Sequence, residues 1–381
     1  LFIKITLVSD MKIAIFFTYD YSVSTLKRSG LLERELKIYQ KINEIYGVEF
    51  IFLTYEENLE PEVNNYPEFK FIPLYKDLKK SNNKFIRLFK SFLIPFRIKS
   101  HLLDVDVLYQ HQLLGVWIPL ILKIQLKKPL QVRTGYDAYL FSINNSDNFV
   151  KSFFYKYLTK LSLRFSDLYT VTSNCDKVFL SKKFSADSVK VVPNWVEVND
   201  NLQTNRLVEK ILMVGRLEKQ KNYPLAFDFL KSLNSNYEID VYGSGSEYSN
   251  LKTLSSKNNL KINFLGNISH QNLLQEFSNY NFFLTSSTYE GNPKSVLEAL
   301  SSQCIIFASN IPNHQELIKD GVNGFLFSDK QELVEKFELI KNNLSEQSKI
   351  KKNCLNSLSE NEILNVSKLM YEDYVFLVSL R

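Results

Sequence analysis

The sequence predicts an α/β fold of two domains, each built on a parallel sheet wound on both faces. Three observations carry that expectation. The chain has 381 residues, more than one ordinary core uses and a normal length for two. Hydrophobic residues make up 45% and charged residues 23%, the balance of a globular chain rather than a disordered one. Short apolar runs alternate with helical periodicity in two separate series, with the polar, unpatterned stretch 199–206 between them. The expected organisation is a first domain over 11–198, a linker over 199–206, a second domain over 207–358 and a closing helical segment over 359–381.

In the first series the strand candidates are Met11–Phe17, Val48–Thr54, Phe69–Ile72, Val105–Tyr109, Leu130–Arg133, Leu168–Thr172 and Val189–Val192. Helical periodicity appears at Leu26–Tyr46, Lys84–Leu103, Leu113–Leu126, Phe149–Phe165 and Cys175–Lys183. Ligands of such sheets sit beyond the carboxyl ends of the strands. The loop from Thr18 to Gly30 and the segment Arg133-Thr-Gly-Tyr-Asp137 are therefore candidate site walls. Met11 reads as a natural start, with the first ten residues preceding it; they carry neither a basic start nor a small-residue cleavage site.

Composition excludes several classes. Cys175, Cys304 and Cys354 are far apart and lack metal spacing, which suggests a reducing compartment. The four histidines form no ligand pair, so no metal site is expected. No apolar run is long enough to span a bilayer. Residues 1–200 hold 28 Lys and Arg against 21 Asp and Glu, net +7, while the remainder hold 19 against 20, net −1. The excess concentrates in Lys76 to Lys99, where aromatic and aliphatic residues interleave with the cations. This stretch reads either as a basic amphipathic helix on an anionic membrane surface or as a helix with a solvated basic face. Nucleic acid fits less well, because no binding motif accompanies the charge.

The second series holds the chemistry. Lys210-Ile-Leu-Met-Val214 reads as a strand that exits at Gly215, with Arg216 and Lys221 just beyond it. Two fixed cations suit a diphosphate on which negative charge grows. Glu238–Tyr242 is a second strand, followed by Gly243 and Gly245; Tyr248 stands where a dinucleotide fingerprint needs its third glycine. Lys261–Gly266 is a strand, Gln271–Asn279 a helix and Cys304–Ala308 a further strand. Between these last two, the apolar strand Asn281–Thr285 runs through Glu290-Gly-Asn-Pro-Lys294 into the helix Lys294–Ser301. Gly291 frees the backbone, Pro293 suits a first helical turn, and the helix N-terminus offers unpaired N–H groups to an anion. Glu290 and Glu298 frame that turn, eight residues apart.

The Glu-x7-Glu spacing, Gly215-Arg216-Leu with Lys221-Asn222, Pro193-Asn194 and Pro312…Glu316 together resemble the retaining GT-B glycosyltransferases of family four. The resemblance implies two Rossmann-like domains facing across an interdomain cleft, with the segment 359–381 packing back on the first. It implies transfer of a sugar from a nucleoside-diphosphate sugar to an acceptor hydroxyl with retention, without metal or cofactor, in bacterial surface-polysaccharide assembly. The implied catalytic residues are Arg216, Lys221 and Glu290. The implied substrate-binding set is Gly30, Tyr136, Asn194, Gly215, Gly243, Gly245, Gly291, Asn292, Pro293, Lys294, Ser295 and Glu298. Family members often carry a glycine pair where only Gly30 stands, and a histidine where Tyr136 stands. Those departures leave open a non-catalytic glycosyltransferase-like partner. The other alternative is a nucleotide-sugar epimerase on the same fold, which would share the phosphate cleft but needs acid/base carboxylates and histidines that are not evident in the first domain. The implied partners are the nucleotide sugar and a saccharide or lipid-linked saccharide acceptor; an anionic membrane surface is the partner offered by the first of the two readings of Lys76 to Lys99. The implied location is cytoplasmic, peripheral at the inner face of the plasma membrane.

Overall fold

β-branched and aromatic runs flanked by turn residues form the strands, and the amphipathic runs between them cover the sheets. The computed structural model describes residues 11–135, 138–144, 148–186, 188–198, 203, 205–233 and 237–380. They fall into two compact units. One holds the described residues up to Val192 together with those from Val366 onward; the other is Pro193–Asn365.

The first unit contains β1 (Lys12–Phe16), α1 (Val23–Arg28), α2 (Leu32–Tyr46), β2 (Glu49–Thr54), β3 (Lys70–Pro73), α3 (Lys84–Ser91), α4 (Ile94–Ile98) and β4 (Val107–His111). It continues with α5 (Trp117–Leu126), β5 (Leu130–Thr134), α6 (Ala138–Asn144), α7 (Phe149–Phe165), β6 (Leu168–Val171), α8 (Asn174–Phe184) and β7 (Lys190–Val191). The seven strands pair in the order β3-β2-β1-β4-β5-β6-β7, all parallel. Their buried faces read as near-continuous apolar runs, as parallel strands covered on both sides require.

Two helices expected as single pieces are broken. The stretch Leu26–Tyr46 divides into α1 and α2 at Ser29-Gly30, where Gly30 takes φ +70 and its N–H donates to the Lys27 carbonyl at 2.9 Å. The stretch Lys84–Leu103 divides into α3, α4 and a short 3-10 turn, with Pro95 in the first turn of α4. The N-terminal ten residues and most of the expected linker lie outside the described residues.

The second unit contains β8 (Leu207–Val214), α9 (Tyr223–Ser232), β9 (Glu238–Tyr242), α10 (Tyr248–Lys257), β10 (Ile262–Gly266), α11 (His270–Asn279), β11 (Tyr280–Thr285) and α12 (Lys294–Ser301). It is completed by β12 (Ile305–Ser309), α13 (Pro312–Gln315), β13 (Phe325–Phe327), α14 (Lys330–Ile340), α15 (Leu344–Asn356) and the start of α16 (Ile363–Val378). Its six parallel strands pair in the order β10-β9-β8-β11-β12-β13. The order reverses at β8, so β8 and β11 are the central pair. The loops leaving their carboxyl ends flank the topological switch point where ligands of such sheets bind. From Val366, α16 belongs to the first unit. There Tyr371 stacks on Tyr46 with ring centroids 4.0 Å apart, and Tyr374 meets Phe50 and Tyr109 edge-on.

Candidate functional site: the loops at the ends of β8 and β11

Two loops meet where β8 and β11 end. The first is the turn from Gly215 to Asn222, and the second runs from Ser286 to Pro293. Ser286 Oγ donates to the carbonyls of Lys221 and Asn222, both at 2.9 Å, and the Thr288 N–H donates to the Gln220 carbonyl at 2.9 Å. Gln220 returns the bond through Nε2 to the Tyr289 carbonyl at 2.7 Å. The backbones are thus tied together before any side-chain chemistry is considered.

Across this joint Lys221 Nζ meets Glu290 Oε1 at 2.5 Å. The pair is largely removed from water, with side-chain exposures of 15% and 9%. Ser287 Oγ donates to the same carboxylate oxygen at 2.6 Å, and Gln220 Nε2 reaches Oε2 at 3.3 Å. Burial pushes the Glu290 carboxyl up, but the charge and hydrogen bond of Lys221 together with the Ser287 hydroxyl outweigh it. Its pKa lies below the ordinary carboxylate value. Gly215 makes the pairing sterically easy, because a Cβ there would stand 3.1 Å from Lys221 Cε.

Gly243 and Gly245 serve the chain's own packing. A Cβ on Gly243, at φ +142, would lie 2.0 Å from the Gly215 carbonyl oxygen, and one on Gly245 would lie 2.3 Å from that of Leu217. The missing side chains let the loop after β9 lie flat on the turn after β8, fixed by the Leu217 N–H to the Ser244 carbonyl at 2.9 Å. Arg216, at the crest of that turn, is exposed.

The second loop enters α12 through buried Gly291, Asn292 and Pro293. Asn194 Nδ2 donates to the Asn292 carbonyl at 2.7 Å, and the Asn194 N–H donates to Asn292 Oδ1 at 3.3 Å. Asn194 itself accepts from Asn361 Nδ2 at 2.8 Å. Pro293 at the helix N-cap supplies no side-chain cap, and among the described residues the Ser295 N–H has no partner. Ser295, with Lys294 beside it, is half-buried, so this end of α12 offers a donor and the positive end of the helix dipole. Inside the same helix Glu298 is buried, with Oε1 3.2 Å from His270 Nε2, and the His270 ring lies edge-on to Trp195.

Lys221, Glu290, Asn194, Asn292 and the glycines therefore gather in one place on the second unit. Gly30 lies in the first unit, and Tyr136 lies outside the described residues. Four residues with a part in the geometry escaped the sequence reading: Gln220, Ser287, His270 and His314. His314, on α13, is fully buried; its Nδ1 lies 2.8 Å from the Ser309 carbonyl, and among the described residues Nε2 has no partner. Burial lowers its pKa to about 4 despite the nearby Glu290 charge, so the ring is neutral. Ser309 Oγ donates to the Ser287 carbonyl at 2.5 Å, linking His314 to the loop that carries Glu290. The signal for His314 was its place inside Pro312…Glu316, but histidines read for metal spacing give no hint of such a role. Among the described residues no three His, Cys, Asp or Glu side chains are grouped to hold a metal ion.

The sequence family described as glycosyl transferases group 1 matches residues 200–356. A relative from Campylobacter jejuni is 25% identical over 325 residues, covering 82% of this chain and 84% of its own. Its name is GalNAc-alpha-(1->4)-GalNAc-alpha-(1->3)-diNAcBac-PP-undecaprenol alpha-1,4-N-acetyl-D-galactosaminyltransferase. The lipopolysaccharide 1,6-galactosyltransferase of Salmonella typhimurium is 26% identical over 42% of this chain and 47% of its own. Among solved structures, Anabaena HepE in complex with UDP and glucose superposes with a TM-score of 0.76 at 15% identity, covering 95% of this chain and 99% of its own. Sucrose-phosphate synthase from Thermosynechococcus elongatus gives 0.79 at 15% identity, covering 97% of this chain and 100% of its own. At that identity the structures speak for the fold alone.

Proposed function

We propose a specific reaction for this chain, which belongs to the glycosyl transferases group 1 and is a glycosyltransferase of the GT-B fold. It moves a sugar from a nucleoside-diphosphate sugar to a hydroxyl of a saccharide or lipid-linked saccharide, with retention and without a metal ion, in building a bacterial surface polysaccharide. The observation that carries this reading is the buried Lys221–Glu290 pair beside the open N-terminus of α12. The Campylobacter relative's name contains a diphosphoundecaprenol-linked saccharide and the Salmonella relative's a lipopolysaccharide, which supports the acceptor class.

The diphosphate of the donor lies against the Ser295 N–H and the α12 dipole and draws Lys221 from Glu290, while Arg216 adds a second cation from the exposed turn. These charges meet the negative charge that grows as the bond from the anomeric carbon to the phosphate oxygen breaks. Glu290, released from Lys221, accepts hydrogen bonds from the sugar hydroxyls, and Glu298 holds the ribose. The acceptor oxygen bonds to the anomeric carbon on the face the phosphate leaves, and its proton passes to the departing phosphate oxygen. The enzyme works on the cytoplasmic side and sits peripherally on the membrane through Lys76 to Lys99. Among the described residues no helix is long and apolar enough to cross a membrane.

Thermal unfolding with UDP, GDP, ADP and CMP, each with EDTA, tests the donor site. A ligand at about a hundred times its dissociation constant stabilises by roughly 2.7 kcal/mol. A rise in Tm with one nucleoside diphosphate in EDTA is the expected result. No rise with any of them, or a rise only with added divalent cation, refutes the metal-free donor site.

A further inference from the structure

α7 is built inside out. Its buried side is Leu158, Thr159 and Ser162, two hydroxyls and one aliphatic chain. Its outward side carries Phe149, Val150, Phe153, Phe154 and Tyr157, all exposed, with Phe149 at 82% and Phe153 at 59%. Those five follow i, i+1, i+4, i+5 and i+8, which places them within one arc of about 140°. Lys156 stands at the edge of that arc, Lys160 and Arg164 continue it over the following turns, all three are exposed, and the helix contains no Asp or Glu. A soluble helix normally turns its aromatic residues inward and its hydroxyls outward.

The same inversion recurs on α3 and the turn after it. Phe85 is 84% exposed and Phe89 78% exposed, with Ile86, Phe92 and Leu93 on the same arc and Lys84 beside them. The two helices belong to one layer. The connections β3 to β4, β4 to β5 and β5 to β6 all advance in the same direction along the sheet, so right-handed crossovers put α3, α5 and α7 on one face. α5 joins them. Trp117 on α5 stacks on Phe92 and donates Nε1 to Ser91 Oγ at 2.9 Å, while Lys123 Nζ donates to the Phe165 carbonyl at the end of α7 at 2.9 Å. Ile124 on α5 is a further exposed apolar side chain in that layer. From Lys79 to Arg164 the sequence holds fifteen Lys and Arg against four Asp and no Glu, 15 − 4 = +11.

We propose that this outer helical layer is one docking surface for an anionic lipid bilayer, with α7 as a second foot beside the Lys76–Lys99 stretch. The aromatic side chains enter the interface and the cations of the same outward side meet the lipid headgroups. Several exposed Phe residues clustered with cations suit lipid, since phosphate contacts alone would need the cations without the apolar surface. The proposal extends the membrane reading of Lys76 to Lys99 and is independent of the donor chemistry.

Vesicle flotation tests it on the full chain, with vesicles of phosphatidylcholine alone and of phosphatidylcholine with phosphatidylglycerol, at low and high salt. Three variants are compared: Phe149→Ser/Phe153→Ser and Lys156→Gln/Lys160→Gln on α7, and Phe85→Ser/Phe89→Ser on α3. All of these residues are exposed, so Tm and the Tm rise with nucleoside diphosphate should stay as in the wild type. Wild-type protein should float with the anionic vesicles and not with the neutral ones. Lys156→Gln/Lys160→Gln should bind anionic vesicles on the order of tenfold or more weakly, from about a factor of five per lost cation near the surface. Phe149→Ser/Phe153→Ser should do so as well, from roughly tenfold per phenylalanine withdrawn from the interface. Unchanged binding by both α7 variants overturns the proposal, even if the α3 variant is weakened. Equal binding to neutral vesicles overturns it as well. So does a concentration-dependent dimer that Phe149→Ser/Phe153→Ser dissolves and that binds no vesicles, because the face is then covered by a second copy.

Discussion

Replacing Lys221 by Met removes the cation that balances a buried carboxylate. In the native unit Glu290 is held by Lys221, by the Ser287 hydroxyl and by the Gln220 amide, with 9% of its side chain exposed. Breaking a buried pair from one side costs about 3–5 kcal/mol, because the remaining charge has lost its partner. The carboxyl can escape by taking a proton. From its ordinary value of 4.5, that costs about 4 kcal/mol at pH 7.5, at about 1.4 kcal/mol per unit, so the two limits agree. For a unit of this size, about 2–4 °C accompanies each kcal/mol, which predicts a fall in Tm on the order of 10 °C. The pH dependence has a definite sign. In the wild type the folded pKa of Glu290 is depressed, so its contribution is present above 4.5 and lost as pH falls through the folded value. In Lys221→Met the folded pKa is raised, so the penalty shrinks as pH falls toward 4.5. Calorimetric unfolding of both proteins at pH 7.5 and 5.5 should show the gap narrowing by up to about 2–3 kcal/mol. The double variant Lys221→Met/Glu290→Leu should recover part of the loss. A gap under about 1 kcal/mol at pH 7.5, or one that does not change with pH, would show that the pair is solvated rather than buried.

Other consequences follow from the same loops. Gly243→Ala should cost at least about 2 kcal/mol in urea unfolding, because its Cβ would stand 2.0 Å from the Gly215 carbonyl, whereas Gly266→Ala, with nothing within 4 Å, should cost about 1 kcal/mol for its φ of +74 alone; equal costs would refute the loop-stacking role. Arg216→Ala should leave Tm unchanged, since the side chain is exposed, and should lower kcat/KM by the equivalent of about 2–4 kcal/mol; near-normal turnover would remove it from catalysis. Glu298→Ala should weaken nucleoside-diphosphate affinity measured by calorimetry, and unchanged affinity would free that carboxylate for a purely structural bond with His270. His314 stays neutral down to about pH 4 in the folded chain against 6.5 unfolded, so the unfolded chain takes its proton first and stability falls as pH drops through that window. His314→Gln should remove up to about 3 kcal/mol of that acid sensitivity, and parallel stability–pH curves for the two proteins would rule the effect out.

Local order was readable wherever one periodicity ran unbroken. The 3.6 period over Phe149–Phe165 and the strand–turn–helix over 281–301 gave α7 and α12 their observed bounds. The breaks were harder, because Gly30 at φ +70 and Pro95 interrupt runs whose apolar spacing continues across them. At the site, the sequence pointed to Lys221 and Glu290 separately and sent both to a ligand. Their pairing was not legible, because 69 residues separate them and only the adjacency of β8 and β11 in the sheet brings them together. The inversion of α7 was hidden for a related reason. Periodicity shows that a helix has an apolar face and cannot show which way that face points.

That pairing changes what the cation does. A lysine waiting alone over a phosphate site would carry its full charge into water before the donor arrives. Here Lys221 is neutralised by Glu290 in a nearly dry joint, so neither of these two buried charges is left uncompensated. A diphosphate that draws Lys221 away leaves Glu290 with the Ser287 and Gln220 hydrogen bonds but no cation. The sugar's hydroxyls are then the groups best placed to satisfy it. A bare nucleoside diphosphate gains the lysine and strands the carboxylate, whereas the intact donor satisfies both. In the proposed reaction the site would therefore favour the sugar-bearing nucleotide through the balance of charge rather than through an added contact. That coupling follows from the geometry of one hydrogen-bonded joint, the glycine that lets the lysine cross it and the serine that keeps the carboxylate in place.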